Sequence, residues 1–208
     1  DHVKLHASAN RKEGTAVYLL MDVSGSMSES VPNAEGAQEQ KLAIAKRAAI
    51  GVAESVAKYA GEDKSRDIRL GIARFSDSFN EIIPLEKVDA KRAGEAINKL
   101  HAAGGTAIGN AVKRAQEALD ASGLKHQHIL IMTDGENTSG VSPSSVAAAI
   151  NALPEELRPS VYVVAFDVNA AVFSSVKDQG WQIFSAANGK ELGQQLDEVV
   201  GGHILIEK

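Results

Sequence analysis

The sequence predicts an α/β fold: a doubly wound, Rossmann-like central sheet, mostly parallel with one antiparallel edge strand, and helices on both faces. Three observations carry this. The runs Ala16–Met21, Ile129–Met132 and Val161–Phe166 are short, nearly continuous in apolar residues and rich in β-branched or aromatic side chains, as strands covered on both faces require. Segments with helical spacing fill the intervals, and strands alternating with helices build a parallel sheet. The length, 208 residues, suits one such domain and is enough to bury about 70% of the unfolded surface without a covalent staple.

Ile68–Phe75 and Ile82–Leu85 read as two further strands. Only Ser76–Glu81 separates them, too short for a helical crossover, so they form a hairpin. Pro84 cannot donate to a ladder and places the second strand at an edge. Leu42, Ala45, Ala49, Val52, Val56 and Tyr59 share one face of a long helix that ends near Gly61. Ala93, Ile97 and Leu100 mark a shorter helix. Ile108, Ala111, Val112, Ala115 and Leu119 mark another, closed at Gly123. Val146, Ala149, Ile150 and Leu153 mark a fourth, stopped before Pro154. Trp181–Phe184 is a sixth strand, and a last helix runs from Lys190 to Val200. Residues 14–208 make the domain and 1–13 an N-terminal extension. Val3–His6 and His203–Glu207 are strand-like, lie outside the alternating core, and are expected to pair or to extend an edge. Val31–Gln40 reads as a polar loop. His126 and His128 have no third ligand beside them and are expected to be surface or edge histidines.

The chain carries 22 basic and 27 acidic side chains, a net charge of −5. With no dense Lys/Arg block, nucleic acid is not the expected partner. No apolar run approaches the ~18–20 residues of a spanning helix, so no direct membrane insertion by this chain is expected. The absence of cysteine removes disulfides, cysteine-ligated zinc, iron–sulfur clusters and thiol nucleophiles together. The chain begins at Asp1 rather than Met, as a processed or trimmed product would. The compartment is therefore not fixed, with an extracytoplasmic setting slightly favoured. Short loops and Ala-rich helices suit a bacterial source better than an animal one.

In an open α/β sheet, ligands bind beyond the carboxyl ends of the strands. Asp22-Val23-Ser24-Gly25-Ser26-Met27 follows the first strand, Thr133-Asp134-Gly135-Glu136 follows Ile129–Met132, and Gly104-Gly105-Thr106 opens a helix. All three should converge at one end of the sheet. Together they offer hydroxyls and carboxylates with no soft ligand, a donor set for Mg²⁺, Mn²⁺ or Ca²⁺. The i, i+2, i+4 spacing of Asp22, Ser24 and Ser26 lets one loop aim three side chains at one point. Gly104 and Gly105 permit close backbone approach, and Thr106 sits where a helix cap belongs.

On these residues the chain resembles the von Willebrand factor type A domains. Asp22-x-Ser24-x-Ser26, Thr106 and Asp134-Gly135 are similar, in order and residue type, to the complete metal-ion-dependent adhesion site of that family. The resemblance extends over about residues 14–200. It implies direct coordination by Ser24 and Ser26, direct coordination by Thr106 in a ligand-bound state, and action mostly through water for Asp22 and Asp134. It also implies Mg²⁺, with Mn²⁺ or Ca²⁺ possible, and a partner protein whose Asp or Glu side chain completes the coordination. Ser28, Glu29, Asp77, Gly105 and Glu136 are candidates for the rim around the ligand. Of these, Glu136 is expected to face solvent and Asp77 to serve as a hairpin turn residue.

Enzyme readings fare less well. Gly104 and Gly109 have the spacing of a phosphate-binding loop, but Asn110 and Ala111 follow, so its Lys and hydroxyl are missing. The Gly-x-Ser-x-Gly frame of a hydrolase elbow is absent around Ser26. A phosphatase using Asp22 as nucleophile would need a basic side chain to clamp a phosphoryl group, and none neighbours these motifs in the sequence. The expectation is a cation-dependent adhesion or adaptor module that is not an enzyme. The alternatives are a metal-assisted hydrolase or phosphatase and a metal-independent scaffold domain of a larger protein.

Overall fold

The structure is a computed structural model and describes residues 2–207. Asp1 and Lys208, the outer limits of the expected extension and domain, lie outside the described residues. Six strands form the central sheet: β1 (Lys12–Asp22), β4 (Ile68–Phe75), β5 (Phe79–Lys87), β6 (Leu124–Thr133), β7 (Ser160–Phe166) and β8 (Gln182–Ala186). Their order is β5-β4-β1-β6-β7-β8. β1 pairs in parallel with both β4 and β6, β7 continues beside β6 and β8 beside β7. Only β5 runs antiparallel, against β4 at the edge, which is where Pro84 is tolerated. The expected doubly wound, mostly parallel architecture with one antiparallel edge strand is the fold observed.

The two-residue period of β1 divides the core. Val17, Leu19 and Met21 face one apolar cluster, and Ala16, Tyr18 and Leu20 face the other. These residues are almost fully buried, and each large apolar side chain so covered contributes roughly 1.5–3 kcal/mol. On the first face pack α1 (Lys41–Glu62), α2 (Ala90–Asn98) and α6 (Gly189–Val199), through Ala49, Val56, Ile97 and Leu196 among others. On the second pack α3 (Ile108–Ser122) and α4 (Pro143–Asn151), through Val112, Leu119, Val146 and Ile150. A one-turn helix, α5 (Ser174–Lys177), precedes β8. α3 stops at Gly123, whose φ of 66° is the left-handed cap that a side chain would resist.

Several boundaries differ from expectation. α1 continues one residue past Gly61, because a single glycine in a long packed helix costs only about 1 kcal/mol. Val31–Gln40 is not a plain loop. It holds a small antiparallel ribbon, β2 (Ser30–Pro32) and β3 (Gln38–Gln40), closed by the Asn33 side chain, which accepts from the Glu35 and Ala37 amides at 3.0 Å.

Among the described residues, Val3–His6 and His203–Glu207 form no strand and do not pair. Leu5 is buried on the α3 side of the sheet, and the His6 carbonyl accepts from Gln116 Nε2 at 2.8 Å. Ile204 and Leu205 are buried on the α1 side, in a wide helical turn (Val200–Ile204) that prolongs α6. Apolar burial on opposite faces outweighs the strand-like composition of both segments. His128 is likewise no surface histidine. It is 1% exposed, with Nε2 2.7 Å from Glu207 Oε2 and Nδ1 3.2 Å from the Tyr162 hydroxyl. His126 Nδ1 lies 3.2 Å from Glu207 Oε1, and Arg66 donates to the Leu205 carbonyl at 3.2 Å. The C-terminal segment is thus clasped at the end of the sheet opposite the carboxyl ends of the parallel strands.

The Glu207 carboxyl is held down to about 2 from an ordinary 4.5, first by its contact with His128 and also by His126. A depressed carboxylate adds stability that is present above its unfolded value and lost as pH falls through its folded value. The window here runs from about 4.5 down to about 2. Because 44% of the side chain is exposed, solvent screens the pair and its worth is at most about 1 kcal/mol. Glu207→Gln is expected to lower the melting temperature by at most roughly 2–4 °C at neutral pH, and thermal melts should show the difference shrinking across that acidic window.

Candidate metal centre

The parallel register sets the site. Met21 lies opposite Met132, so β1 and β6 end side by side and deliver Asp22 and Asp134 to the same rim. Beyond Asp22 the chain makes a short 3₁₀ turn (Gly25–Ser28) whose Met27 is buried as an anchor. The turn brings Ser24 Oγ within 3.1 Å of Ser26 Oγ, and Ser26 Oγ donates to Asp134 Oδ1 at 2.8 Å. The Gly-rich loop docks by its backbone: Gly25 N–H donates to Gly104 O at 2.9 Å and Ala103 N–H to Val23 O at 2.8 Å. Asp22, Ser24, Thr106 and Asp134 are all buried, and Ser26 is half-buried. The expected set of Asp22, Ser24, Ser26, Thr106 and Asp134 therefore stands at one end of the sheet.

Both carboxylates are fully engaged. Asp22 Oδ1 accepts from the Ser24 amide at 2.7 Å, and Oδ2 accepts from Thr133 Oγ1 at 2.7 Å. Burial pushes the Asp22 carboxyl up, the Ser24 and Thr133 hydrogen bonds pull it back, and Asp134 nearby adds an upward push. Among the described residues no ion pair reaches Asp22. A buried carboxylate in that position favours a nearby cation.

Asp134 has a partner that the sequence did not announce. Lys41, the first residue of α1, is buried, and its Nζ lies 3.1 Å from Asp134 Oδ2, 3.1 Å from Glu29 Oε2 and 3.0 Å from Asp167 Oδ2. Burial alone draws the ammonium down, but these three carboxylates outweigh it and hold it well above the usual lysine range. The expectation that no basic side chain accompanies the motifs is therefore corrected: Lys41 is distant in sequence and adjacent in space. The signal was present, since Lys41 is four residues before Ala45 and so lies on the buried stripe of α1. Asp167 directly follows β7, a position that the strand-end rule selects.

The other rim residues divide. Ser28 Oγ donates to the Gly25 carbonyl at 2.8 Å and closes the turn. Glu29 is exposed but committed to Lys41. Asp77 does more than turn a hairpin: its Oδ2 accepts from the Gly105 amide at 2.8 Å. A Cβ at Gly105 would meet Asp77 Oδ1 at 2.5 Å, so a larger residue there would push the Asp77 side chain aside. Glu136 is exposed, as expected. Thr106 does not cap α3; Ala107 occupies the cap position without a side-chain bond. Thr138 instead grips the Thr106 backbone, accepting from its N–H at 2.8 Å through Oγ1 and donating its own N–H to the Thr106 carbonyl at 2.7 Å. That grip uses only the Thr106 backbone, and among the described residues no hydrogen bond to its hydroxyl accompanies it.

Among the described residues no group of three or more His, Cys, Asp or Glu side chains is assembled to hold a metal. The donors that converge here are hydroxyls backed by hydrogen-bonded carboxylates, which fits a hard, oxygen-seeking cation rather than zinc or iron.

A family model described as the von Willebrand factor type A domain matches residues 17–136. An uncharacterized protein from Synechocystis sp. is 26% identical over 203 residues, covering 91% of this chain and 44% of that protein. The chain thus spans under half the length of this relative. Among solved structures, a von Willebrand factor type A protein from Catenulispora acidiphila superposes with a TM-score of 0.71 at 19% identity, over 90% of this chain and 42% of that one. The PilB minor pilin from Streptococcus sanguinis gives 0.73 at 14% identity, over 96% and 63%. The vWF domain of the type V pili tip protein Mfa5 from Porphyromonas gingivalis gives 0.66 at 14% identity, over 94% and 97%. At these identities the structural likeness establishes the fold.

Thr133→Val tests the support beneath Asp22. It keeps the side-chain shape and removes the 2.7 Å donor from a buried carboxylate oxygen. A loss of about 1–3 kcal/mol in unfolding free energy is expected, measured by denaturant titration in chelator.

Proposed function

The chain belongs to the von Willebrand factor type A domain family, and from that premise we propose that it is a divalent-cation-dependent protein-binding module. The observation that supports this best is the state of the two carboxylates. Asp22 is held by Ser24 and Thr133, and Asp134 by Ser26 and Lys41. Neither is free to neutralise a cation directly without giving up a bond. In this reading the neutral hydroxyls of Ser24, Ser26 and Thr106 hold the cation, while Asp22 and Asp134 orient the serines and accept from its bound waters.

Mg²⁺ suits the site best, because it takes hard oxygen donors and retains exchangeable waters; Mn²⁺ and Ca²⁺ are the alternatives. The chemistry such an ion supplies is an incompletely neutralised positive charge with a coordination position open to an outside carboxylate. An Asp or Glu side chain of a partner protein fills that role. Glu29, Asp77, Gly105 and Glu136 stand around it, with Ser28 shaping the turn. The pilin and pilus-tip names of structural neighbours are compatible with adhesion, and docking onto an assembly uses the same chemistry. No bond-breaking step is proposed. Lys41, the basic residue that could have clamped a phosphoryl group, is 3% exposed and already surrounded by three carboxylates, which disfavours a phosphatase.

The test is calorimetric titration of Mg²⁺, then Mn²⁺ and Ca²⁺, into chelator-stripped protein, with Asp22→Ala alongside and excess acetate as a stand-in carboxylate. One-site binding lost in Asp22→Ala is expected. Cation at about 100 times its dissociation constant should stabilise the wild type by about 2.7 kcal/mol. No cation binding by wild type, with or without acetate, would overturn the proposal in favour of a metal-independent scaffold. Thr106→Ala is expected to weaken acetate binding to the Mg²⁺-loaded protein more than it weakens Mg²⁺ binding. Equal losses would remove its distinct role toward the ligand.

A further inference from the structure

We propose that Lys41 is a built-in counter-cation: it keeps the loops of the site assembled when no divalent cation is bound, and it limits how tightly that cation is held. The inference rests on the metal-binding reading above and adds a residue to it.

The geometry carries it. The Lys41 side chain is 3% exposed, yet its Nζ meets carboxylates from three separate segments. Asp134 extends from the end of β6, Asp167 follows β7, and Glu29 follows the turn after β1. Asp134 is itself fully buried at its side chain, whereas Glu29 and Asp167 are 66% and 42% exposed. The ammonium is therefore sealed from above by two acidic side chains and bonded below to the one that belongs to the candidate site. Asp167 has φ of 51°, the one positive φ at a non-glycine residue among the described residues. Its amide donates to the Ala186 carbonyl at 2.8 Å, and its carboxylate is on Lys41. A left-handed conformation at a non-glycine residue is unfavourable and persists where its surroundings hold it.

The consequence follows from charge. Without Lys41, the carboxylates of Asp134, Glu29 and Asp167 would crowd together with Asp22 nearby and no fixed positive charge among them. Burying an ionised group without a partner is strongly unfavourable. With Lys41 in place, the assembly stands without a divalent ion. The same ammonium repels a divalent ion bound nearby and holds Asp134 Oδ2 away from it. Stability of the ion-free site is therefore gained at the expense of cation affinity, and a bound cation keeps more unneutralised charge for a partner's carboxylate.

The test compares wild type with Lys41→Met, which keeps the aliphatic length and removes the charge. Thermal melts are run in chelator and in saturating Mg²⁺, together with Mg²⁺ titrations. In chelator, Lys41→Met is expected to melt below wild type and to gain more from Mg²⁺. Its Mg²⁺ dissociation constant should fall by about tenfold or more, because a unit charge close to a divalent ion has been removed. Adding Asp167→Asn to Lys41→Met should restore part of the melting temperature in chelator and reduce the Mg²⁺ gain. If Lys41→Met alone does not fold, this double variant carries the same affinity comparison. Wild-type-like affinity and Mg²⁺ gain in the Lys41 variants, or weaker Mg²⁺ binding, would overturn the inference while leaving the metal site standing. Absence of any Mg²⁺ response in wild type would instead remove the metal-binding reading itself.

Discussion

The arrangement of the site depends on the two-sided grip on Asp134. Its Oδ1 takes the Ser26 hydroxyl and its Oδ2 the Lys41 ammonium. One buried carboxylate thereby joins the end of β6 to the turn after β1 and to the first residue of α1. Each connection exists because the sheet is parallel and closely registered. Met21 opposite Met132 fixes where both strands end, and the apolar layers on either face leave those ends little freedom to slide. The helix that brings Lys41 is placed in turn by its own buried stripe of Ala45, Ala49, Val52 and Val56. Apolar packing thus sets the position of polar groups that would be unfavourable to bury singly.

Backbone amides, neighbouring hydroxyls and the Lys41 ammonium serve the carboxylates, and the Ser24 and Ser26 hydroxyls lie 3.1 Å apart beside them. Thr138 and Asp77 hold the Gly-rich loop by its backbone, so Thr106 is positioned without its hydroxyl being consumed. In the proposed reading such a site is preorganised, because hydrogen bonds formed on folding already order the loops that would receive a small cation.

Much of this was legible in the sequence, for identifiable reasons. The doubly buried strands read as apolar runs, and the hairpin and the edge position of Pro84 followed from spacing. The carboxyl-end rule located Asp22, Ser24, Ser26, Thr106 and Asp134 together. What escaped were groups whose role depends on contacts between distant segments. Lys41 is 93 residues from Asp134, and no local motif links them, although a lysine on the apolar stripe of α1 was a usable sign. Thr133 and Thr138 carry no local signal of their role, yet each supplies a hydroxyl that fixes a site residue. The chain ends depart from expectation because composition reports strand propensity and not which face of the sheet is left to cover: Leu5 and Leu205 fill gaps on opposite faces. His128 departs from expectation because its partner, Glu207, lies at the far end of the chain.

The most direct measurement of the central claim is a crystal structure of the Mn²⁺-soaked protein with the ion located by its anomalous scattering. The ion is expected against the hydroxyls of Ser24, Ser26 and Thr106, with Thr133 still on Asp22 and Lys41 still on Asp134. An ion bound directly by an Asp134 that has left Lys41, or an ion found only elsewhere on the molecule, would contradict that claim.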